Sequence, residues 1–384
     1  MRILVTEAEE RSVLSACRGL KKAGYDVSAA ASRSGAEGQW SRSCSERIRL
    51  PDPQQNGASF VDSLEKRLRE KKYSVLIPGT EASLLAVSEN RRRLERLTRI
   101  GLPSHRAVLR SLDKVAVLGE AMAAGLHPPP SAICANPNEA KDACNELGFP
   151  VVVKAARSFT PGAGETKRTV VVVSDEVALV KEASRLGTPV TVQRFETGMP
   201  LFSCSGVFAD GHMLALTSAR VLRTWPPLAG SFSFMETVSS SPSLVARISA
   251  LLSAIQWQGI FQIDFLDRGK ERFSFLDLNP RVFASLALDI ESGANLPGVW
   301  CDWLLGRDVE VVSARPGVRY RWEEGELRYC LYELRRRRLR AAGAVIRPRR
   351  RVIHGHFQIG DPAPTVAWLF GVWRRSLRRL ARGR

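Results

Sequence analysis

The stretch that most constrains the fold is residues 259–297, GIFQIDFLDRGKERFSFLDLNPRVFASLALDIESGANLP. It reads as a strand, IFQIDFL, a turn through DRGKE, and a second strand, RFSFLDL, running into Asn279-Pro280-Arg281. Gly269 supplies the backbone freedom a turn between two apolar runs needs. A turn about residues 269–270 predicts Asp264 opposite Phe275 and Gln262 opposite Asp277. The two-residue period of a strand then puts Gln262, Asp264 and Asp277 on one face, with Asn279 continuing it. Two carboxylates and an amide make an oxygen-lined site for a hard divalent cation such as Mg²⁺, which keeps phosphate and water oxygens as its other ligands. Arg281 beside them suits an anionic oxygen. A surface hairpin with solvated acids is the plain alternative. Acids embedded in apolar strands, followed at once by Asn-Pro-Arg and a small-residue helix, favour the metal site.

Three upstream stretches point to an anion. Ser111-Leu112-Asp113-Lys114 opens a helix. Phe149-Pro150-Val151-Val152-Val153-Lys154 is an apolar strand ending in lysine, which is costly to bury unless it meets an anion. Residues 158–166, with Gly162 and Gly164, form a loop between strands whose backbone N–H groups suit phosphates.

Taken in order, these motifs resemble the ATP-grasp superfamily, to which biotin carboxylase, carbamoyl phosphate synthetase and D-alanine–D-alanine ligase belong. Asp264, Asp277-Leu278-Asn279-Pro280-Arg281 and Gly293-Ala294-Asn295-Leu296-Pro297 look like its metal-binding end, with Asp where Glu is commoner. The resemblance implies Lys114 and Lys154 on ATP phosphates, together with a glycine loop that is usually richer in glycine. Val190 to Gly198 matches the hinge strand, which implies Gln193 in the site and the backbone of Arg194 and Phe195 at the adenine edge. Relatives often carry a ribose-binding acid a few residues on. Here Leu201 follows Met199-Pro200, and Glu196 is the nearest substitute.

The implied fold class mixes α/β and α+β. A Rossmann-like pre-ATP-grasp domain spans 1–110 and the two ATP-grasp subdomains span 111–190 and 191–312, followed by a basic helical extension over 313–384. Before residue 110 strands and helices alternate, as in a doubly wound parallel sheet. No Gly-x-Gly-x-x-Gly follows the first strand, so a dinucleotide site is not indicated. Ile77-Pro78-Gly79-Thr80-Glu81 lies at a strand's carboxyl end, where such sheets bind ligands. Glu81 reads more simply as a first-turn helix acid than as a substrate contact.

Composition limits the partners. The seven cysteines are scattered, with no Cys-x-x-Cys, which suggests reduced thiols and a cytoplasmic setting. No apolar run approaches the roughly 20 residues of a membrane span. The net charge of +18 is concentrated: residues 315–384 carry 19 arginines against 5 acids, a net +14. A near-neutral remainder and the absence of a recognition motif argue against nucleic acid. His354 and His356 read as part of a solvated strand or loop. Residues 325–342 can form an Arg-faced helix. Residues 363–382 are more strongly amphipathic, with Val366, Leu369, Phe370, Trp373, Leu377 and Leu380 on one side and arginines 374, 375, 378, 379 and 382 on the other. Packing on the protein's own surface competes with docking at an anionic, inner-membrane surface or on a carrier or partner protein.

The resemblance implies a ligase of the carboxylate–amine (or –thiol) type that uses ATP and Mg²⁺ or Mn²⁺, takes a small-molecule acid and amine, and is compatible with a homodimer. Asp264, Asp277 and Asn279 would hold metal. Arg281 would steady the phosphoryl group. Arg220 and Arg223, in an arginine-, proline- and glycine-rich stretch before the hairpin, would meet the acid. The competing reading is a nucleotide-binding scaffold without turnover, supported by the thin loop glycines and Leu201.

Overall fold

The structure is a computed structural model that describes residues 1–155, 170–187, 189–347 and 352–381, with only the backbone of 374–381. The glycine loop of 158–166 lies outside the described residues.

The chain opens with β1 (Arg2–Val5), α1 (Arg11–Lys22), β2 (Asp26–Ala31), β3 (Cys44–Arg49), α2 (Gly57–Glu70), β4 (Val75–Ile77), α3 (Glu81–Glu89), α4 (Arg91–Leu94) and β5 (Arg99–Ile100). The five strands pair in parallel in the order β3-β2-β1-β4-β5. Residues 3–5 of β1 and all of β4 are buried, as strands covered on both faces must be. Val13, Leu14, Cys17 and Leu20 give α1 its buried side. The strand order reverses beside β1, so the carboxyl ends of β1 and β4 form the crevice of this unit. Glu7, Gly79 and Glu81 stand there. Gly79 N–H donates to Glu7 Oε2 (3.0 Å), and a Cβ at residue 79 would collide with Thr6 O.

Next come α5 (His105–Leu112), α6 (Lys114–Ala123), β6 (Ser131–Cys134), α7 (Pro137–Leu147), β7 (Val151–Ala155), β8 (Val171–Val173), α8 (Glu176–Leu186) and β9 (Val190–Arg194). Asp113 caps α6 by accepting from Val115 N and Ala116 N, which fixes Lys114 in the first turn. The strands form an antiparallel sheet, β6-β9-β7-β8.

The third sheet is built from β10 (Leu201–Ala209), β11 (His212–Trp225), β12 (Ser231–Val238), then, after α9 (Pro242–Ala254), β13 (Gly259–Asp267) and β14 (Phe273–Asn279). Two helices follow, α10 (Leu286–Ser292) and α11 (Leu296–Leu304). Gly293, at φ +111°, ends α10, and Asn295 with Pro297 starts α11. Asn295 Nδ2 also donates to Gly19 O (2.8 Å), so the Gly-Ala-Asn-Leu-Pro motif ties this unit to α1. Leu244, Ile248, Leu251 and Leu252 of α9 join Phe261, Ile263 and Phe265 in one core. Each such side chain contributes about 1.5–3 kcal/mol by burial.

The remaining elements are β15 (Val312–Ser313), β16 (Arg319–Arg321), α12 (Glu323–Arg335), α13 (Leu339–Ile346), β17 (Val352–His354) and α14 (Ala363–Ala381). The basic extension is therefore not helical alone: β16 and β17 lengthen the third sheet beyond β12, and β15 pairs with β11. The segment read as solvated is partly interior. His356 is buried, stacked on Trp368 at 5.0 Å.

Candidate active site

Strands β13 and β14 pair differently from the simple turn expectation. Asp264 lies opposite Asp277 and Gln262 opposite Asn279, while Phe265 pairs with Phe275. One extra residue, Leu276, is accommodated in β14 as a bulge between these two registers. The hairpin turn spans 268–272, where Gly269, Lys270 and Glu271 all have positive φ. The bulge seats Phe275 against Phe265, ring centroids 6.3 Å apart, and sets the two acids across from each other. The grouping of Gln262, Asp264, Asp277 and Asn279 survives the corrected register.

The two carboxylates differ in state. Burial and the neighbouring charge of Asp277 push Asp264 up to about 7, against a hydrogen bond from Ser203 Oγ (3.2 Å). For Asp277, burial pushes upward too. Lys114, Lys154 and its hydrogen bonds outweigh it and hold the group below the usual aspartate value. Lys114 Nζ lies 2.9 Å from Asp277 Oδ2. Lys154 Nζ donates to the bulge carbonyl Leu276 O (3.0 Å) and lies 3.5 Å from Gln193 Oε1. Burial lowers Lys154 to about 8, with Asp277 working against that shift. Gln193 is oriented in turn by its bond to Ser131 Oγ (2.8 Å). Both motif lysines thus arrive at β14 from different elements. The cavity they line with Ile133, Thr191 and Phe275 is narrow, about 20 Å³.

Arg281 reaches the first domain. Its Nε and Nη2 lie 3.3 and 3.2 Å from Glu81 Oε1, and Nη2 lies 3.3 Å from Asn279 Oδ1. Glu81 is buried at the start of α3, so it is both a first-turn acid and the anchor of Arg281.

Other expected residues are placed elsewhere. Arg223 is committed to Glu326: Nε to Oε1 is 2.9 Å and Nη2 bonds Oε2, with the guanidinium 4.4 Å from the Phe234 ring. Both partners are largely buried, so this pair joins β11 to α12. Arg220 is exposed and in register with Phe202 and Phe265, whereas Asp264 is in register with Ser203. Adjacent rows point to opposite faces, so Arg220 sits on the side away from the acids. Glu196 pairs with Arg268 of the hairpin turn (2.6 Å), which accounts for its charge without a ribose. At the hinge, Arg194 N donates to Pro130 O (2.9 Å) and Phe195 N to Pro150 O (3.1 Å), so Phe195's N–H is already engaged. Gly162 and Gly164 lie outside the described residues.

Three contributors escaped the sequence reading: Ser203 on Asp264, the Leu276 carbonyl, and Ser131 behind Gln193. A serine in an alternating strand carries no distinguishing signal, and a bulge is set by long-range packing. A surface depression of about 780 Å³ lies between Ser88–Arg93, Leu102–His105, Gln256 and Gln258. It contains none of the motif residues, and its Arg91 is spent on Pro103 O (2.8 Å).

Comparison with known proteins places the fold. Residues 217–326, which include both acids, match the family model described as ATP-grasp in the biosynthetic pathway with Ter operon. No curated protein matches the sequence. Among solved structures, the biotin carboxylase domain of Hydrogenobacter thermophilus 2-oxoglutarate carboxylase, in complex with MgADP, ADP and bicarbonate, has a TM-score of 0.65 at 14% identity, covering 83% of this chain and 73% of that one. N5-carboxyaminoimidazole synthetase from Staphylococcus aureus has a TM-score of 0.62 at 12% identity, covering 83% and 80%. L-amino acid ligase from Bacillus licheniformis has a TM-score of 0.60 at 15% identity, covering 79% and 74%. The chain has an ATP-grasp-like fold, and residues 217–326, across its acidic hairpin, match an ATP-grasp family model.

Proposed function

We propose that the protein is an ATP-dependent ligase that activates a carboxylate as an acyl phosphate and joins it to an amine, or a thiol, with release of ADP and phosphate. The observation that carries this reading is the Asp264–Asp277 pair, with Asn279 one step along the face and two lysines converging on β14. The similar folds named above, one described with MgADP and bicarbonate and one an amino acid ligase, support the same class.

The donor set fits a hard cation. Asp264, Asp277 and Asn279 offer only oxygens, as Mg²⁺ or Mn²⁺ prefers. Asp264 is held near 7 by burial and by its acidic neighbour, a cost that a divalent charge would relieve. When bound, the ion would supply charge neutralisation for the phosphates. Lys114 and Lys154 would hold phosphate oxygens, with Gln193 and Ser131 keeping Lys154 in place. A cavity of about 20 Å³ holds roughly one water. Nucleotide binding there would take Lys114 from Asp277 and Lys154 from the Leu276 carbonyl. Arg281, held by Glu81, would present its guanidinium to the phosphoryl group.

The chemistry needs no covalent bond to the protein. A carboxylate oxygen attacks the γ-phosphorus and ADP leaves. The amine nitrogen then attacks the acyl carbon, phosphate leaves, and the amine gives up a proton. Positioning and electrostatics provide the rate enhancement. ADP release from Mg-ATP, assayed over a pool of small acids and amines, tests the reading. Release that depends on the added acid and disappears in Asp277→Ala is expected. Nucleotide binding without ADP release under any condition would favour the scaffold reading.

A further inference from the structure

The C-terminal helix α14 is held on the protein by one face and presents the other, which is apolar, to solvent. Pro364 is buried, and Trp368 stacks on buried His356 at 5.0 Å and 18°. The helix packs beside the short 3-10 helix Glu37–Trp40. Its entry is pinned by Asp361, which accepts from Arg18 Nε (2.9 Å), Ser41 Oγ (2.6 Å) and Arg42 N (2.9 Å). The seated face is therefore fixed by buried polar contacts as well as by stacking.

The outward face consists of Val366, Leu369, Phe370 and Trp373, each between 54 and 64% exposed. Their spacing of three and four residues is one helix stripe. Phe370 and Trp373 lie with ring centroids 5.6 Å apart. A helix already docked on its own domain would normally turn polar residues outward, so this stripe is unaccounted for by the fold. The sequence continues the spacing with Leu377 and Leu380. It also adds six arginines after Trp373 and has no acid after Asp361.

We propose that this stripe is a docking surface for an anionic lipid bilayer, with α14 lying flat in the headgroup region. An apolar stripe followed in sequence by a charged complement that is wholly cationic fits such an interface. Among the described residues no helix is long and apolar enough to cross a membrane, so the contact is peripheral. A second copy of this chain is the poorer occupant, because it would bring together two C-terminal segments that each carry a net +14 over residues 315–384. The proposal is independent of the reaction at the acidic hairpin.

Vesicle sedimentation with the full chain tests it. The probes are pure phosphatidylcholine vesicles and vesicles with about 30% phosphatidylglycerol. Co-sedimentation with the anionic vesicles only, weakened by salt, is expected. Leu369→Ser/Phe370→Ser/Trp373→Ser should lower the partition at least about tenfold while leaving the unfolding midpoint unchanged. If the triple variant does not fold, Phe370→Ser alone should give a smaller loss in the same direction. Equal partition of folded variant and wild type overturns the proposal, as does absence of binding to anionic vesicles. Concentration-dependent dimerisation that the variant abolishes, with no vesicle binding, would assign the stripe to a second copy instead.

Discussion

Lys114 Nζ donates to Asp277 Oδ2 at 2.9 Å, joining the first turn of α6 to a strand 163 residues away. On the proposed reading both groups change partner when Mg-ATP binds: the lysine takes phosphate and the carboxylate takes metal. Nucleotide should therefore stabilise the fold, by about 2.7 kcal/mol at a hundred times its dissociation constant. A thermal shift with Mg-ATP that is smaller with ATP and EDTA is expected. Equal shifts with and without the metal would separate nucleotide binding from the acidic hairpin.

Removing a metal ligand should be severe. Asp277→Ala is expected to lower ADP formation at least about a hundredfold, beyond the ~10–100-fold typical of groups that merely support a ligand. Because Lys114 loses its partner too, circular dichroism should accompany the assay. A folded Asp277→Ala protein with wild-type turnover would remove these acids from the chemistry.

Glu81→Gln tests the link between the first domain and Arg281. The neutral side chain still accepts a hydrogen bond but no longer pairs the charge. We expect kcat to fall about tenfold with little change in KM for ATP. A purely structural role would instead lower the unfolding midpoint and leave kcat intact.

Arg223 should behave oppositely. Arg223→Ala strands Glu326, which is only 3% exposed, without its bidentate partner. Breaking a buried pair from one side typically costs about 3–5 kcal/mol. The variant should unfold earlier, and the folded fraction should keep its activity. Lost activity at unchanged stability would restore Arg223 to the substrate side.

The buried acid Asp289 gives a pH-dependent stability. It accepts from Ser205 Oγ (2.6 Å), and burial pushes it up to about 7 from 3.8. With the folded value raised, its contribution is complete below the unfolded value and is lost as pH rises through about 7. Asp289→Asn should therefore match the wild type near pH 4 and exceed it above pH 7, by on the order of 4 kcal/mol. Urea unfolding at the two pH values measures this. A constant difference would place the cause outside this titration.

The acidic hairpin was legible because alternation of apolar residues and acids fixes which side chains share a face. Its register was not, since the Leu276 bulge depends on Phe275 packing against Phe265 and on Lys154 bonding the bulge carbonyl. The same limit explains Arg223 and Arg220. An ion pair to a residue 103 positions later, or a strand face set by neighbouring strands, leaves no local mark. The amphipathic period of α14 was visible. The strands β15–β17 were too short for a periodic signal, and only pairing with β11, β12 and one another defines them.

The central claim is activation of a carboxylate at the Asp264–Asp277 site. Its most direct test is incubation of the protein with Mg-ATP, hydroxylamine and a library of small acids, read by mass spectrometry. Hydroxylamine captures an acyl phosphate as the hydroxamate whatever the natural amine is. The account predicts ADP together with the hydroxamate of one acid or a narrow group of acids, both lost in Asp277→Ala. ADP formed with no hydroxamate from any acid, while bicarbonate or another phosphoryl acceptor drives its release, would contradict it.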